Sequence, residues 1–499
     1  MDHMSPSDRT WPAVILLQGA DSDLPLAEAT HELAHALVDE HADDVLLLKV
    51  ATGLPQVRFD DAAVLPVLTV AAGSDSSANR AVVAALNRYA PHRAYVFLDV
   101  SGRDNPDGFT EQLVAHLDAA DLDARLHLRL VRTHRGPLPA AWVSETDHAR
   151  WRVLHTRVLS HTEGAIRGDD VSGARTEGGC GARTAPHPTW HDSRQDPEQV
   201  RVRLDQQGRV AAESLARWAR AITRRRVGLA LGGSGAWGFA HVALIMAMLD
   251  EGIPIDVICS SSSGSLVGGT YAALGRPGLE GLLADGYRLS LAVATAFVSM
   301  QPFEARLARQ TSGVLLEELD VMFYPVVTNL TAMRAERVIS GSLAWGVRAS
   351  CTAPGLFGST VHNGSVYVDG AVSLNVPAGL VSWLGADLVV AMNALPQPVG
   401  LAATGPRGPL FRLCQLRKSL GVVFQDMGRL QARGHITYNP PQAAYPLLRT
   451  MLFHRGRAVC EAAQAEPEFQ STLEQLRDAW NANRQPRTGV QATQWARTA

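Results

Sequence analysis

The sequence predicts an α/β protein, and three observations carry that reading. Between residues 12 and 132, apolar runs of strand length alternate with stretches whose apolar residues recur at helical spacing. That alternation is the pattern of a parallel sheet with crossover helices. Residues 227–252, VGLALGGSGAWGFAHVALIMAMLDEG, read as a strand, a glycine-rich loop and a helix. Residues 255–266, IDVICSSSSGSL, set four consecutive serines between a further strand-like run and a further helix-like one. A chain of 499 residues is too long for one ordinary domain, so two or three are expected.

Taken in order, WPAVILLQG is an apolar run closed by glycine, as a buried strand is. LAEATHELAHALVDEH follows with helical spacing. DVLLLKV and VLPVLTVA read as strands, SSANRAVVAALNRYA as a helix and RAYVFLDV as a strand. FTEQLVAHLDAA and RLHLRLVR add a helix and a strand. The first strand runs into QGADSDLP, which has neither the P-loop pattern nor GxGxxG, so no nucleotide site is expected there. Within the first helix, HELAH matches the zinc-protease spacing HExxH, with His31 and His35 on one face and Glu32 beside them. No third ligand is evident and Leu33, Ala36 and Leu37 pack the helix, so surface histidines and no metal are expected.

Hydrophobic residues make up 46% and charged residues 19%, the balance of a globular chain with real cores. The formal net charge of -3 gives no reason to expect nucleic acid. The five cysteines are odd in number and no CxxC occurs, which argues against a disulfide framework or zinc ribbon and for a reducing compartment. The start, MDHMSPSDRTWPAVILLQGA, lacks the basic and apolar regions of a secretory signal. Nowhere do the roughly 18 apolar residues of a spanning helix run uninterrupted. LSLAVATAFVSM (289–300) comes nearest and reads as a core helix or an interfacial one touching lipid.

The chemistry gathers in residues 227–378. Gly233, Gly235 and Gly238 match GxGxxG, a loop that leaves backbone N–H groups free at a helix N-terminus. A dinucleotide site would want an acid at the end of the next strand. Asp256 instead opens that strand, and the strand ends in the serines. Laid on the elbow pattern GxSxG, the run puts Ser262 at the centre and Gly264 two positions later, with Ser260 where glycine is usual. SVYVDGAVSLNVP (365–377) delivers Asp369 into a turn with Gly370 and Ala371. Asp-Gly alone is an ordinary turn, but beside the loop and the elbow Asp369 becomes a candidate general base.

Glycine loop, serine elbow and DGA, in this order and spacing, resemble the patatin-like phospholipases. The closer resemblance is read as one to the bacterial branch similar to neuropathy target esterase, over about residues 225–395. The resemblance implies a three-layer α/β/α catalytic domain and a serine esterase or hydrolase cleaving phospholipids or lysophospholipids. It further implies a dyad of Ser262 and Asp369, and an oxyanion loop of Gly233, Ser234, Gly235 and Gly238 whose backbone N–H groups at Gly233, Ser234 and Gly235 bind the anion. It implies no metal and no cofactor. Three departures stand out: Ser260 for the elbow glycine, Ser234 for a loop glycine, and Trp237 for the loop arginine. A degenerate scaffold that binds lipid or a partner without turnover is therefore the alternative. A Ser-His-Asp hydrolase would need a histidine after Asp369, such as His435 or His454. His241, Cys259, Asn375 and Pro377 are read as structural.

The expected organisation is a Rossmann-like, non-catalytic α/β domain at 1–140 and a linker with a flexible insertion and lead-in helix at 141–225. The catalytic domain follows at 226–395, and a C-terminal helical extension with a disordered tail at 396–499. A cytoplasmic location is expected, with peripheral contact on the inner membrane face. Head group, acyl position and oligomeric state are left open.

Overall fold

The computed structural model describes residues 13–487 except 20–23, 54–55, 61–63, 73–76, 104–105, 123–125, 135–150, 160–182, 187–197, 396–408 and 441–451. The chain forms two compact units. The first comprises residues 1–161, 194–225 and 481–499, and the second residues 162–193 and 226–480.

In the first unit the strands are β1 (Ala13–Gly19), β2 (Val45–Thr52), β3 (Gln56–Asp60), β4 (Val67–Ala72), β5 (Tyr95–Gly102), β6 (His127–His134), β7 (Trp151–Leu159) and β9 (Glu198–Arg203). Strand β8 (Arg183–Pro186) belongs to the second unit. The order is β3-β4-β2-β5-β1-β6-β7-β9, and every pair is parallel except β3–β4. Helices α1 (Leu26–His41), α2 (Ser77–Tyr89), α3 (Pro106–Ala119) and α4 (Ala212–Thr223) cover the sheet. Alternation along β1 explains the layering. Ile15 and Leu17 pack with Leu33 and Leu37 of α1 and Trp218 of α4. Val14 and Leu16 pack with Val82 of α2 and Leu113 of α3.

Strands β7 and β9 lie within the stretch expected to be a linker. Their sequences, WRVLHTRVL and EQVRVR, mix arginine and histidine with the apolar residues. A search for continuous apolar runs therefore passes over them, although Leu154, Val158, Val200 and Val202 are buried.

The second unit holds β10 (Val227–Leu231), β11 (Val257–Ser260), β12 (Met322–Asn329), β13 (Arg334–Ser340), β14 (Thr360–His362), β15 (Ser365–Asp369), β16 (Leu388–Met392) and β17 (Ile436–Tyr438). The centre, β12-β11-β10-β16-β17, is parallel, while β15, β14, β13 and β8 extend it antiparallel. The helices are α5 (Phe239–Asp250), α6 (Ser263–Ala284), α7 (Gly286–Thr295), α8 (Gln301–Gln310), α9 (Leu343–Ser350), α10 (Ala378–Trp383), α11 (Pro409–Gln431), α12 (Gly456–Ala465) and α13 (Pro467–Asn483). Leu229 and Leu231 face Val242, Ile245 and Val347, whereas Ala230 and Cys259 face Leu380 and Val381. The sheet is thus sandwiched between helices on both faces. Helix α6 kinks at Gly275 (φ 62°), two residues before Pro277.

Among the described residues no helix is long and apolar enough to cross a membrane. Residues 289–300 divide between core and surface. Leu289, Val293, Ala296 and Met300 are buried, while Leu291, Phe297 and Val298 are exposed.

Candidate active site

The site forms where β10 and β11 end side by side, with Leu231 in register with Ser260. Strand β11 stops at Ser260 and α6 begins at Ser263, so the chain reverses in two residues. Ser262 takes φ 53° and ψ -126°, a region L-residues rarely adopt. The turn is held by Ser261 N–H donating to Leu231 O (2.9 Å), Gly264 N–H to Ser261 O (3.0 Å) and Ser265 N–H to Ser262 O (2.8 Å). A Cβ on Gly264 would sit 2.3 Å from Leu231 O, so only glycine allows this approach.

Each serine of the run has its own surroundings. The Ser260 hydroxyl donates to Ser265 Oγ (3.0 Å). Ser261 Oγ donates to Leu374 O (2.7 Å). Ser263 Oγ accepts the Ser234 N–H (3.0 Å) and lies 3.2 Å from Ser234 Oγ. These three serines are buried, and Ser262 alone of the four is half-buried. Its hydroxyl lies beside the carboxylate of Asp369 and favours the charged form of that group.

Asp369 closes β15, paired with Val327 of β12. Its own N–H donates to Thr352 O (2.9 Å), and its Oδ1 accepts the Ala371 N–H (2.8 Å). Gly370 is required because a Cβ there would lie 2.3 Å from Val326 O. Burial pushes the Asp369 carboxyl up to about 6, against the lowering effect of the nearby Ser262 hydroxyl and the Ala371 N–H.

The glycine loop lies beside both residues. A Cβ on Gly233 would come 2.9 Å from Ser262 Cβ and 3.0 Å from Ala371 Cβ. A Cβ on Gly238 would meet Ser263 Oγ at 2.7 Å, and Gly235 turns at φ 60°. The expected anion donors need correction. Gly233 N–H is taken by Asn375 Oδ1 (2.9 Å) and Ser234 N–H by Ser263 Oγ. The N–H groups of Gly235, Ala236 and Ser263 have no acceptor among the described residues. Ser263 is the first residue of α6, where helix N–H groups have no partner within the helix.

Residues not foreseen support this core. Ser350, the last residue of α9, accepts the Ser262 N–H on its hydroxyl (3.0 Å) and lies 2.8 Å from Ser265 Oγ. Cys351 Sγ donates to Ser262 O (3.0 Å), and burial raises its thiol well above the ordinary range. Neither stands in a local pattern that marks chemistry. Asn375 joins Gly233 to Phe424 O of α11 (3.2 Å). His241 donates from Nε2 to Gly232 O (2.8 Å), and complete burial lowers its imidazole to about 4. It is therefore a neutral brace for the loop.

The other histidines lie elsewhere. His454 stacks on Tyr287 at 5.0 Å, and His435 N–H donates to Ala432 O (3.3 Å). The described partners of the Asp369 carboxylate are Ser262 and Ala371. In the first unit, His31 Nε2 meets Asp99 Oδ2 at 3.1 Å and His35 is exposed. Asp256 accepts the Val227 N–H (3.0 Å), which fixes the start of β10.

Residues 229–381 match the family model of patatin-like phospholipases. Lysophospholipase NTE1 of Yarrowia lipolytica is 32% identical over 189 residues, covering 36% of this chain and 13% of that protein. Lysophospholipase NTE1 of Mycosarcoma maydis is 34% identical over 194 residues, covering 36% of this chain and 10% of that protein. The match thus takes in a small fraction of each relative's length. These relatives are fungal, which overturns the expected closer likeness to a bacterial branch. Among solved structures, VipD from Legionella pneumophila is similar over 48% of this chain and 67% of that chain, at 13% identity and a TM-score of 0.25, below the level at which a shared fold follows. Residues 229–381 of this α/β chain thus match the patatin-like phospholipase model, and additional α/β structure precedes them.

Proposed function

We propose that the second unit is a serine esterase acting on acyl esters of phospholipids or lysophospholipids. One observation carries the reading: Ser262 is half-buried at a strained strand-to-helix turn, with its hydroxyl beside the buried carboxylate of Asp369. Asp369 takes the hydroxyl proton as Ser262 Oγ attacks the acyl carbonyl carbon. The oxyanion takes the unpartnered N–H groups of Gly235, Ala236 and Ser263, with the N-terminus of α6 adding a favourable dipole. When the intermediate collapses, the alcohol leaves with the proton from Asp369. Water then attacks the acyl-enzyme, gives its proton to Asp369 and releases the fatty acid, and Ser262 regains its hydrogen. A carboxyl near 6 is mostly ionised at neutral pH and so can take a proton, yet it is a stronger base than an ordinary aspartate.

Lipid as the acyl source rests on the family match and on the relatives' name, lysophospholipase. Peripheral contact with a membrane belongs to the same reading. The departures at Ser260 and Ser234 do not favour an inactive scaffold, because both hydroxyls make buried hydrogen bonds within the site.

A fluorophosphonate ester probe tests the proposal. Wild type is expected to label, Ser262→Ala to lose labelling, and Asp369→Ala to label roughly 10²–10⁴-fold more slowly. Folded wild type that stays unlabelled would sink the esterase reading.

A further inference from the structure

We infer that the exposed apolar strip on α7 and the turn after it docks on an anionic phospholipid bilayer. Tyr287 is 77% exposed, Leu291 67%, Phe297 55% and Val298 94%. Tyr287 and Leu291 are one turn apart, while Leu289 and Val293 of the same helix are buried. Four large apolar side chains within 12 residues exceed the scattered exposure that needs no explanation.

Two further observations say what covers the strip. The first is continuity with the candidate site. The Phe297 ring packs edge-on to Phe357 at 5.5 Å. Phe357 N–H donates to Ala353 O, and in the same segment Thr352 O accepts the Asp369 N–H and Cys351 Sγ donates to Ser262 O. The strip therefore borders the place where an ester would enter. The second is charge. The other end of the strip is basic: Arg288 is 80% exposed on its side chain, and Arg455 and Arg457 are exposed. They are neighbours of the strip because His454 stacks on Tyr287 and its N–H donates to Ser290 Oγ (2.9 Å). Of the acids nearby, Asp285 bridges to Arg306 and stands 3.7 Å from Arg288, and Glu461 lies one turn beyond Arg457. Apolar side chains at the acyl boundary with arginines at head-group level are the chemistry of an interfacial helix on anionic lipid. The role of the strip in feeding the site rests on the esterase reading; the docking itself does not.

The test is flotation of the full chain with phosphatidylcholine vesicles, with and without phosphatidylglycerol. A soluble short-chain ester assay and a thermal melt are run alongside. Wild type is expected to float with the phosphatidylglycerol vesicles. Leu291→Asp/Val298→Asp should lower partitioning roughly tenfold or more, with the melt and soluble-ester rate unchanged. Arg288→Ala and Arg457→Ala should each lower it roughly fivefold and reduce its salt sensitivity. Wild type that turns over soluble ester but never floats overturns the docking surface and leaves the esterase reading standing. Wild type that floats without labelling at Ser262 does the reverse. If the double variant floats as well as wild type but breaks up a dimer, the strip belongs to a second copy and the inference fails.

Discussion

Asp369 is 4% exposed, and the Ser262 hydroxyl and Ala371 N–H beside it do not compensate for the water it has lost. Its carboxyl titrates about 6 in the folded chain, against an ordinary 3.8. Between those values the folded state keeps a proton that the unfolded state has released. The group therefore favours folding below the lower value, and that contribution is lost as pH rises through the higher one. At pH 8 the buried carboxylate costs about 3 kcal/mol. Asp369→Asn is expected to raise the unfolding midpoint at pH 8, with the gain shrinking toward pH 4. Ester turnover by wild type should rise with pH through about 6 and then level off. Thermal melts and rates across that pH range check both; a gain independent of pH would show that desolvation of the charge is not the cause. The register of the serine run singles out Ser262, and the positive φ falls on that residue. The tasks of Ser260, Ser261 and Ser263 are not written locally, because their partners Ser265, Leu374 and Ser234 come from a helix, a loop and another turn.

The strand-to-helix turn borrows its rigidity from neighbouring elements. Ser350, at the end of α9, takes the Ser262 N–H and joins the buried hydroxyls of Ser265 and Ser260. Ser350→Ala leaves that N–H without its acceptor in a buried site, a loss of about 1–3 kcal/mol. It is expected to cut kcat by about tenfold or more with KM little changed, because it positions the nucleophile and does not touch substrate. Steady-state kinetics with Ser350→Thr as rescue check this; a rise in KM with kcat unchanged would assign Ser350 to binding instead. The glycine loop depends on distant elements as well, through Asn375 to α11 and His241 to Gly232. The loop, the elbow and the DGA turn are legible in sequence because each is a contiguous strand–turn unit whose small residues mark close backbone approach. The actual N–H acceptors are not, since Gly233 and Asn375 are 142 residues apart and Ser262 and Ser350 are 88 apart.

Both units are discontinuous in sequence, and one buried ion pair shows the consequence. In the first unit Arg225 holds Asp43 with two bonds, 2.5 and 2.8 Å, and neither side chain reaches solvent. Asp43 also accepts the Arg487 N–H (2.7 Å), and Arg225 donates to Asn483 O and Gln485 O. The segment after residue 480 is thereby tied to the loop between α1 and β2, more than four hundred positions earlier. Asp43→Ala strands a buried guanidinium and should destabilise the protein by about 3–5 kcal/mol. Denaturant unfolding measures it; a loss below about 1 kcal/mol would mean the pair is solvated in solution.

Alternating apolar and helical periods were enough to determine an α/β chain, and local spacing was enough to put Ser262 and Asp369 on strand–turn junctions, because both signals are short-range. Strands β7 and β9, the free N–H groups at Gly235, Ala236 and Ser263, the brace from Ser350 and the return of the last segment to Asp43 were decided by tertiary structure. Each depends on which distant backbone or side-chain group arrives within hydrogen-bonding distance once the sheets assemble, and no local pattern of residues encodes that arrival.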